Sequence, residues 1–198
     1  MGSKKESNFL NMVLTLSLVA IIAALALGGV YVVTKAPIAL AKKKKLEAAI
    51  KKVLPEFDSI STKKFLPPGG GDSLTFYIAS MKGKTVGSAI KTYTMKGFGG
   101  RIDIMVGMLN DGTINNTAVL SHKETPGLGD KMDIKKSDFS VQFRKKNPSS
   151  FKLKVTKDGG DVDAITAATI SSRAFCDALT RAYDTFESQQ ANLNLDNK

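Results

Sequence analysis

The sequence is poor in the side chains that build reactive or metal-binding sites. Its 198 residues include one cysteine, one histidine and no tryptophan. A single cysteine excludes an intrachain disulfide and a cysteine-rich metal centre, and the lone His122 excludes a site built from several histidines. Cys176 lies within a helical apolar pattern, so we expect a packed core thiol rather than a reactive one. We therefore predict no metal ligands and no side chain acting as a catalyst.

Acidic residues are outnumbered, with 18 Asp and Glu against 29 Lys and Arg, which gives a formal net charge of +11. Such a balance is typical of nucleic-acid binders. Many of the lysines, however, lie in Lys42–Lys45, Lys51–Lys52 and Lys63–Lys64, close after an apolar segment. Lysines in that position contact the membrane surface or cover a solvated helix face. Because no zinc finger, aromatic RNA-binding motif or arginine stripe accompanies them, we expect no nucleic-acid partner.

A long uncharged segment follows a short tail at residues 1–8. Residues 9–34 contain no charged side chain, and about 20 apolar residues suffice for a helix to cross a bilayer. The alternative is a cleaved signal peptide, whose apolar region is usually about 7–15 residues long. This segment is longer, and Gly28-Gly29 interrupts it without ending it. The sequence therefore predicts a single transmembrane anchor at 9–34, with the lipid bilayer as a partner.

The orientation of this anchor is ambiguous from charge. Lys4 and Lys5 precede the span, whereas Lys35 and the run Lys42–Lys45 follow it. Counting flanking lysines places the C-terminal side in the cytoplasm. Flanking charge is a bias, and a large trailing domain can still be exported.

Between the anchor and the rest of the chain, residues 35–72 are predicted to form a helical stalk and a linker. The stalk helix is expected to open at Pro37 and to run through Leu54, because Pro55 ends it. The cluster at 67–72 combines two prolines with three glycines, which is typical of a turn or flexible loop.

Residues 73–188 show the pattern of one α+β domain, in which several antiparallel strands precede a C-terminal helix. Asp111-Gly112 between alternating apolar runs is a strong hairpin signal. The residues after 188 form a polar tail, 189–198. Period-two alternation predicts strands, and period 3.6 predicts helices. The predicted strands are Leu74–Ala79, Thr85–Tyr93, Ile102–Leu109, Thr113–Ser121 and Phe151–Thr156, and the predicted helices are Lys135–Phe143 and Thr169–Ser188.

Two glycine-rich segments stand out in this domain. Residues 97–100 read GFGG, and glycines so close together let backbone approach backbone or a ligand, although a plain turn or bulge fits as well. Residues 122–130 read HKETPGLGD, where Gly127 and Gly129 leave bare backbone on either side of Leu128. A planar ring fits against such a loop, and an ordinary connector is the alternative.

A third segment opens the last helix. Residues 163–172 read DAITAATISS, and this crowd of small and hydroxyl side chains places Thr169 near the positive end of the helix dipole. Backbone N–H groups there have no intrahelical partner, so the position suits a phosphate. The alternative is a simple N-cap, in which Thr166 or Thr169 accepts hydrogen bonds from those N–H groups.

In their order and spacing, these three segments resemble the FMN-binding domain family. The stretch HKETPGLGDK at 122–131 is the most specific match. The family attaches FMN through a phosphoester bond to the last threonine of an Asp-x-x-Ser/Thr-Gly-Ala-Thr motif, which Asp163, Thr166, Ala168 and Thr169 match. Ala167 replaces the usual glycine. The resemblance implies covalent FMN on Thr169, loaded by a separate flavin transferase that uses FAD and Mg²⁺. It further implies cofactor contacts from the neighbouring residues Thr166, Ala167, Ala168, Glu124, Thr125, Gly127, Leu128 and Gly129.

Within that family, the chain is similar to flavin-bearing subunits of ion-translocating redox complexes. The resemblance implies an electron relay that works with other membrane subunits and couples ferredoxin:NAD electron transfer to Na⁺ or H⁺ transport. It places the protein in the cell (inner) membrane with its globular domain outside the cytoplasm, against the lysine count. Two other functions remain open: a flavin reductase or electron-transfer module of another respiratory system, and an anchored structural or binding protein without a cofactor.

Overall fold

The structure is a computed structural model that describes residues 8–194, so nearly all of the predicted tail at 1–8 lies outside the described residues. The chain divides into two compact units, one up to residue 44 and one from residue 45 onward. The second unit contains the α+β fold that the sequence predicts, in which an antiparallel sheet precedes a C-terminal helix.

The first helix, α1, spans Phe9–Val53. It is long and apolar enough to cross a membrane, and its apolar side chains in the first unit are exposed, as Leu16 at 77% shows. The predicted start of a separate helix at Pro37 is wrong, because Pro37 lies inside α1. A proline ring fixes φ near the helical value. Pro37 lacks the N–H that would donate to the carbonyl of Val33, so α1 continues through it with one backbone hydrogen bond fewer.

Five antiparallel strands form one sheet whose spatial order is the order of the chain. The strands are β1 Ser59–Phe65, β2 Leu74–Met81, β3 Lys84–Gly97, β4 Gly100–Met108 and β5 Ile114–Ser121. A tight turn at Lys82 and Gly83, with φ of 51° and 77°, joins β2 to β3. Gly112, with φ of 80°, completes the predicted hairpin between β4 and β5.

The last helix, α2, spans Thr169–Asn194 and covers one face of the sheet. Its apolar stripe, which includes Phe175 and Leu179, packs against Phe76, Ile90 and Ile104. Two threonines of β3 fix its position, because the Thr92 hydroxyl donates to Ala178 O at 3.0 Å and the Thr94 hydroxyl donates to Asp177 Oδ2 at 2.7 Å. The larger of the two apolar cores of the domain lies between α2 and the sheet.

The end of α1 covers the opposite face of the sheet. Ala49, Ile50 and Val53 are buried against small and apolar sheet residues such as Ala89 and Met105. Side chains of β5 satisfy the last carbonyls of α1: the Asn115 amide donates to Val53 O at 2.8 Å, and the Asn116 amide donates to Lys52 O at 3.1 Å. The last carbonyls of a helix have no intrahelical partner, so these amides serve as its C-terminal cap.

Four segments differ from the sequence-based expectations. β1 lies within the predicted stalk and linker, so the compact unit extends well upstream of residue 73. The predicted strand Phe151–Thr156 is wrong, because only Val155 pairs, through an isolated bridge to Val162. Within Lys135–Phe143, a short 3₁₀ turn spans Asp138–Phe143 and is capped by Ser137. The last helix continues beyond Ser188 to Asn194, since Gln and Ala in this stretch tolerate helix well.

Gly107 tests how closely α1 must approach the sheet. A Cβ at Gly107 collides with the backbone carbonyl of Val53, whereas a Cβ at Gly69 meets open space. We expect Gly107→Ala to lower the free energy of unfolding by about 1–3 kcal/mol, because overpacking forces α1 away from the sheet. Urea unfolding of the detergent-solubilised chain measures this, with Gly69→Ala as the control. Equal midpoints for the two variants would contradict the close packing.

Candidate functional site

A cleft of about 360 Å³ lies at one end of the sheet, and all three predicted segments contribute to it. The turn between β3 and β4 supplies Phe98. The loop after β5 supplies Glu124, Thr125, Leu128 and Gly129, and the start of α2 supplies residues 167–171. Small-molecule sites measure about 300–1,000 Å³, so the cleft is large enough to hold a ligand.

The turn that leads into α2 is fixed by Ser172. Its buried hydroxyl accepts a hydrogen bond from Ile165 N at 2.9 Å and donates to Ala168 O at 3.1 Å. Ser172 N also donates to Ala168 O, at 3.0 Å, which is the first helical hydrogen bond of α2. The N–H groups of residues 169–171 precede that bond. They therefore carry the partial positive charge of the helix terminus at the edge of the cleft.

The two candidate threonines face different pockets. Thr169 is half-buried and lines the cleft. Thr166 is exposed and lines a neighbouring pocket together with Asp163 and Lys131. In the part of the chain that the structure describes, neither hydroxyl makes the N-cap hydrogen bond that the simpler hypothesis requires. The Thr169 hydroxyl is thus left available to a ligand or a modifying enzyme.

Ala167 adopts a left-handed backbone with φ of 61°. This conformation suits glycine and costs an L-residue about 1–2 kcal/mol, because Cβ approaches the following carbonyl oxygen. A glycine at this position would adopt the same backbone conformation without that cost. Ala167 is exposed and lines the cleft.

Glu124 connects all three segments of the site. Its side chain is buried, and the residue is only 5% exposed. Oε1 accepts a hydrogen bond from Gly99 N at 2.8 Å, and Oε2 accepts one from the hydroxyl of Ser171. Glu124 follows β5 in the chain, Gly99 lies in the β3–β4 turn, and Ser171 lies in the first turn of α2. One carboxylate therefore holds together the elements that surround the cleft.

Glycines make this close approach possible. A Cβ at Gly99 collides with the carbonyl of Lys123, and a Cβ at Gly129 lies 2.7 Å from Glu124 Oε2. A Cβ at Gly97 likewise lies 2.7 Å from Glu124 Oε1. Gly127 is exposed, with φ of 77°, and does not belong to the described lining of the cleft.

Three apolar side chains surround the cleft and remain open to solvent. Phe98 is 72% exposed, Ile170 is 49% exposed and Leu128 is 40% exposed. Large exposed apolar groups gathered at one place mark a binding site more often than scattered ones do. Sequence reasoning did not select Phe98, Ile170 or Ser171 as site residues. The position of Phe98 between two glycines is the signal that points to it. No such signal marks Ile170 and Ser171, because which side chains of α2 face the cleft depends on how the helix is rotated about its own axis.

The remaining polar candidates play smaller parts. His122 Nδ1 accepts a hydrogen bond from Glu124 N at 3.2 Å and so supports the backbone of the loop. Cys176 is buried, and burial raises the pKa of its thiol to about 12, which fits the predicted core thiol. Asp130 is buried next to the cleft, and its Oδ1 has no hydrogen-bond partner among the described residues.

Comparisons with known proteins give the following matches. The sequence model of the FMN-binding domain family matches residues 97–184, which contain the three segments of the cleft. The chain is 36% identical over 191 residues to the G subunit of the ion-translocating oxidoreductase complex of Aliivibrio fischeri, covering 91% of each chain. The protein of that name from Vibrio vulnificus is 36% identical over 156 residues, with 74% of each chain covered. The one from Vibrio atlanticus is 44% identical over 117 residues, which span 58% of this chain and 56% of the relative.

The strained backbone at residue 167 gives a test of the turn. We expect Ala167→Gly to raise the free energy of unfolding by roughly 0.5–1 kcal/mol. Relief of the left-handed strain gains about 1–2 kcal/mol, and the greater freedom of glycine in the unfolded chain removes about 0.4–1 kcal/mol. The neighbouring Ala168 is buried, so Ala168→Gly should instead destabilise the fold. Urea titration of both variants measures the difference, and a loss of stability in Ala167→Gly would refute the strain.

Proposed function

The chain belongs to the family of FMN-binding-domain proteins that includes the G subunits of ion-translocating oxidoreductase complexes, and on that premise we propose that it is the electron-transfer flavoprotein subunit of such a complex. The FMN is joined covalently to Thr169. The complex couples electron transfer between ferredoxin and NAD to the transport of Na⁺ or H⁺.

The availability of Thr169 carries this proposal. Its hydroxyl lines a cleft of about 360 Å³ and stands at the N-terminus of α2, where N–H groups favour a phosphate. Phe98, Leu128 and Ile170 offer apolar surface in the same cleft. A group that has a phosphate at one end and a flat aromatic ring at the other matches both parts. The residues present therefore fit FMN.

Bound FMN would supply the redox chemistry, and the protein contributes binding and orientation. The N-terminus of α2 stabilises an anion by about 0.3–1 kcal/mol, and by more where the site is partly buried. A covalent tether adds to this by keeping the cofactor at high effective concentration. The glycines around Glu124 let the β3–β4 turn pack closely against the loop that follows β5.

Attachment needs a separate enzyme. A threonine hydroxyl is a weak nucleophile unless a base or a metal activates it. Among the described residues no cluster suits a metal ion, and the carboxylate of Glu124, which lines the cleft, already accepts hydrogen bonds from Gly99 N and the Ser171 hydroxyl. We infer that a flavin transferase activates Thr169 Oγ1 with Mg²⁺ for attack on the FMN phosphorus of FAD. The new Oγ1–P bond replaces the phosphoanhydride bond, AMP leaves, and the hydroxyl proton passes to a base of the transferase. Small side chains at 167 and 168 leave room for that approach.

A denaturing gel tests the linkage. Protein produced in its own host should show a flavin-fluorescent band, and its intact mass should exceed that of the polypeptide by one FMN less one water. We expect Thr169→Val to lose both signals completely, because valine has no oxygen to esterify. Thr166→Val is the matched control and should keep them, since Thr166 faces the neighbouring pocket. Fluorescence that survives in Thr169→Val and disappears in Thr166→Val would move the attachment to Thr166.

We further propose that α1 anchors the protein in the cell membrane as a single span and that the domain lies outside the cytoplasm. Proteinase K added to intact spheroplasts should then remove a C-terminal tag, while a cytoplasmic marker stays intact until detergent is added. Full protection of the tag in sealed spheroplasts would contradict this orientation.

Co-purification of other membrane subunits with the tagged chain separates a complex subunit from a stand-alone flavin reductase.

A further inference from the structure

Glu124 places a charge at the wall of the cleft. It is the one formally charged side chain among the described residues that line the cleft, and it is only 5% exposed. Buried carboxylates are normally paired with a cation or fully hydrogen-bonded. In the described part of the chain, Glu124 has hydrogen bonds and no ion pair, so no neighbouring cation neutralises it.

The hydrogen bonds of Glu124 are those of an ionised carboxylate. Each of its two oxygens faces a donor: the N–H of Gly99 reaches Oε1, and the hydroxyl of Ser171 reaches Oε2. An ionised carboxylate only accepts hydrogen bonds, so both partners are satisfied without a proton on Glu124. Hydrogen bonds to a charged group are shorter and stronger than neutral ones.

The surrounding backbone keeps this charge in place. Hypothetical Cβ atoms at Gly97 and Gly129 lie 2.7 Å from Glu124 Oε1 and Oε2, which shows that main chain encloses the carboxylate on two sides. Ser171 and Thr169 are two residues apart in the first turn of α2, and both line the same cleft as Glu124. The carboxylate therefore belongs to the wall of the cleft that Thr169 also lines, and the backbone around it leaves it little room to turn away.

We propose that Glu124 lowers the reduction potential of the bound flavin by holding a fixed negative charge against it. This inference rests on the FMN site proposed above. Each electron that the flavin accepts adds negative charge unless a proton accompanies it, and a nearby carboxylate opposes that charge. Because Glu124 is buried, the interaction is stronger than it is between exposed groups. The effect makes the flavin a better electron donor to the next carrier.

A redox titration of the purified holoprotein, with dithionite as reductant, tests the proposal. We expect Glu124→Gln to bind FMN covalently and to shift the one-electron equilibrium about tenfold toward the reduced form, which corresponds to a rise of about 59 mV. Glu187→Gln is the matched control, because it removes the same charge from an exposed position of α2. Glu187 follows Ser171 by 16 residues, which is about 24 Å along the helix axis. Its potential should equal that of the wild type.

Two further variants separate charge from structure. Thr125→Lys adds a positive charge at an exposed position of the same wall and should raise the potential even if Glu124→Gln fails to fold, whereas the neutral Thr125→Gln should not. An unchanged potential in Glu124→Gln or no shift in Thr125→Lys would overturn the proposal. Absence of flavin fluorescence from the wild-type band would instead overturn the FMN site itself.

Discussion

The site depends on one carboxylate and the two groups that donate hydrogen bonds to it. Glu124 connects the β3–β4 turn, through Gly99 N–H, with the first turn of α2, through the Ser171 hydroxyl. Its own backbone leaves the end of β5. A buried carboxylate that lost either donor would bear an unsatisfied charge at a cost of several kcal/mol, so the three segments are stable together rather than separately. The cleft is the space that remains between segments held in this way.

The strand order explains why these segments meet. In a simple meander, β3 ends and β4 begins at the same end of the sheet, and β5 returns to that end, as the pairing of Asp103 with Ser121 shows. Packing of α2 against β3 then brings the N-terminus of the helix to that end. The hydroxyls of Thr92 and Thr94, which donate to Ala178 O and Asp177 Oδ2, fix the position of α2 along β3. The site is thus a product of topology and helix position, and no single loop builds it.

The sequence predicts the local features of this fold well and the tertiary ones less so. The hairpin at Gly112 and the helix start at Thr169 follow from turn chemistry and capping patterns within a few residues. β1 escaped prediction because Ser59–Phe65 is largely polar, as suits an edge strand, and carries no clear apolar alternation. Phe151–Thr156 alternates like a strand but finds no partner beyond Val155. Thr169 was selected by family resemblance, whereas Ser171 as the partner of Glu124 depends on packing that no local pattern encodes.

The end of α1 has a practical consequence for anyone who prepares this domain without its membrane segment. Ala49, Ile50 and Val53 belong to an apolar core on the far side of the sheet, and the backbone of Val53 touches Gly107. A truncation placed at the Pro/Gly linker would remove β1 together with this layer and leave Ala89 and Met105 uncovered. Such a fragment would tend to aggregate through the bared surface. A water-soluble fragment should therefore begin shortly after the hydrophobic run and retain the lysine-rich helical segment that follows it.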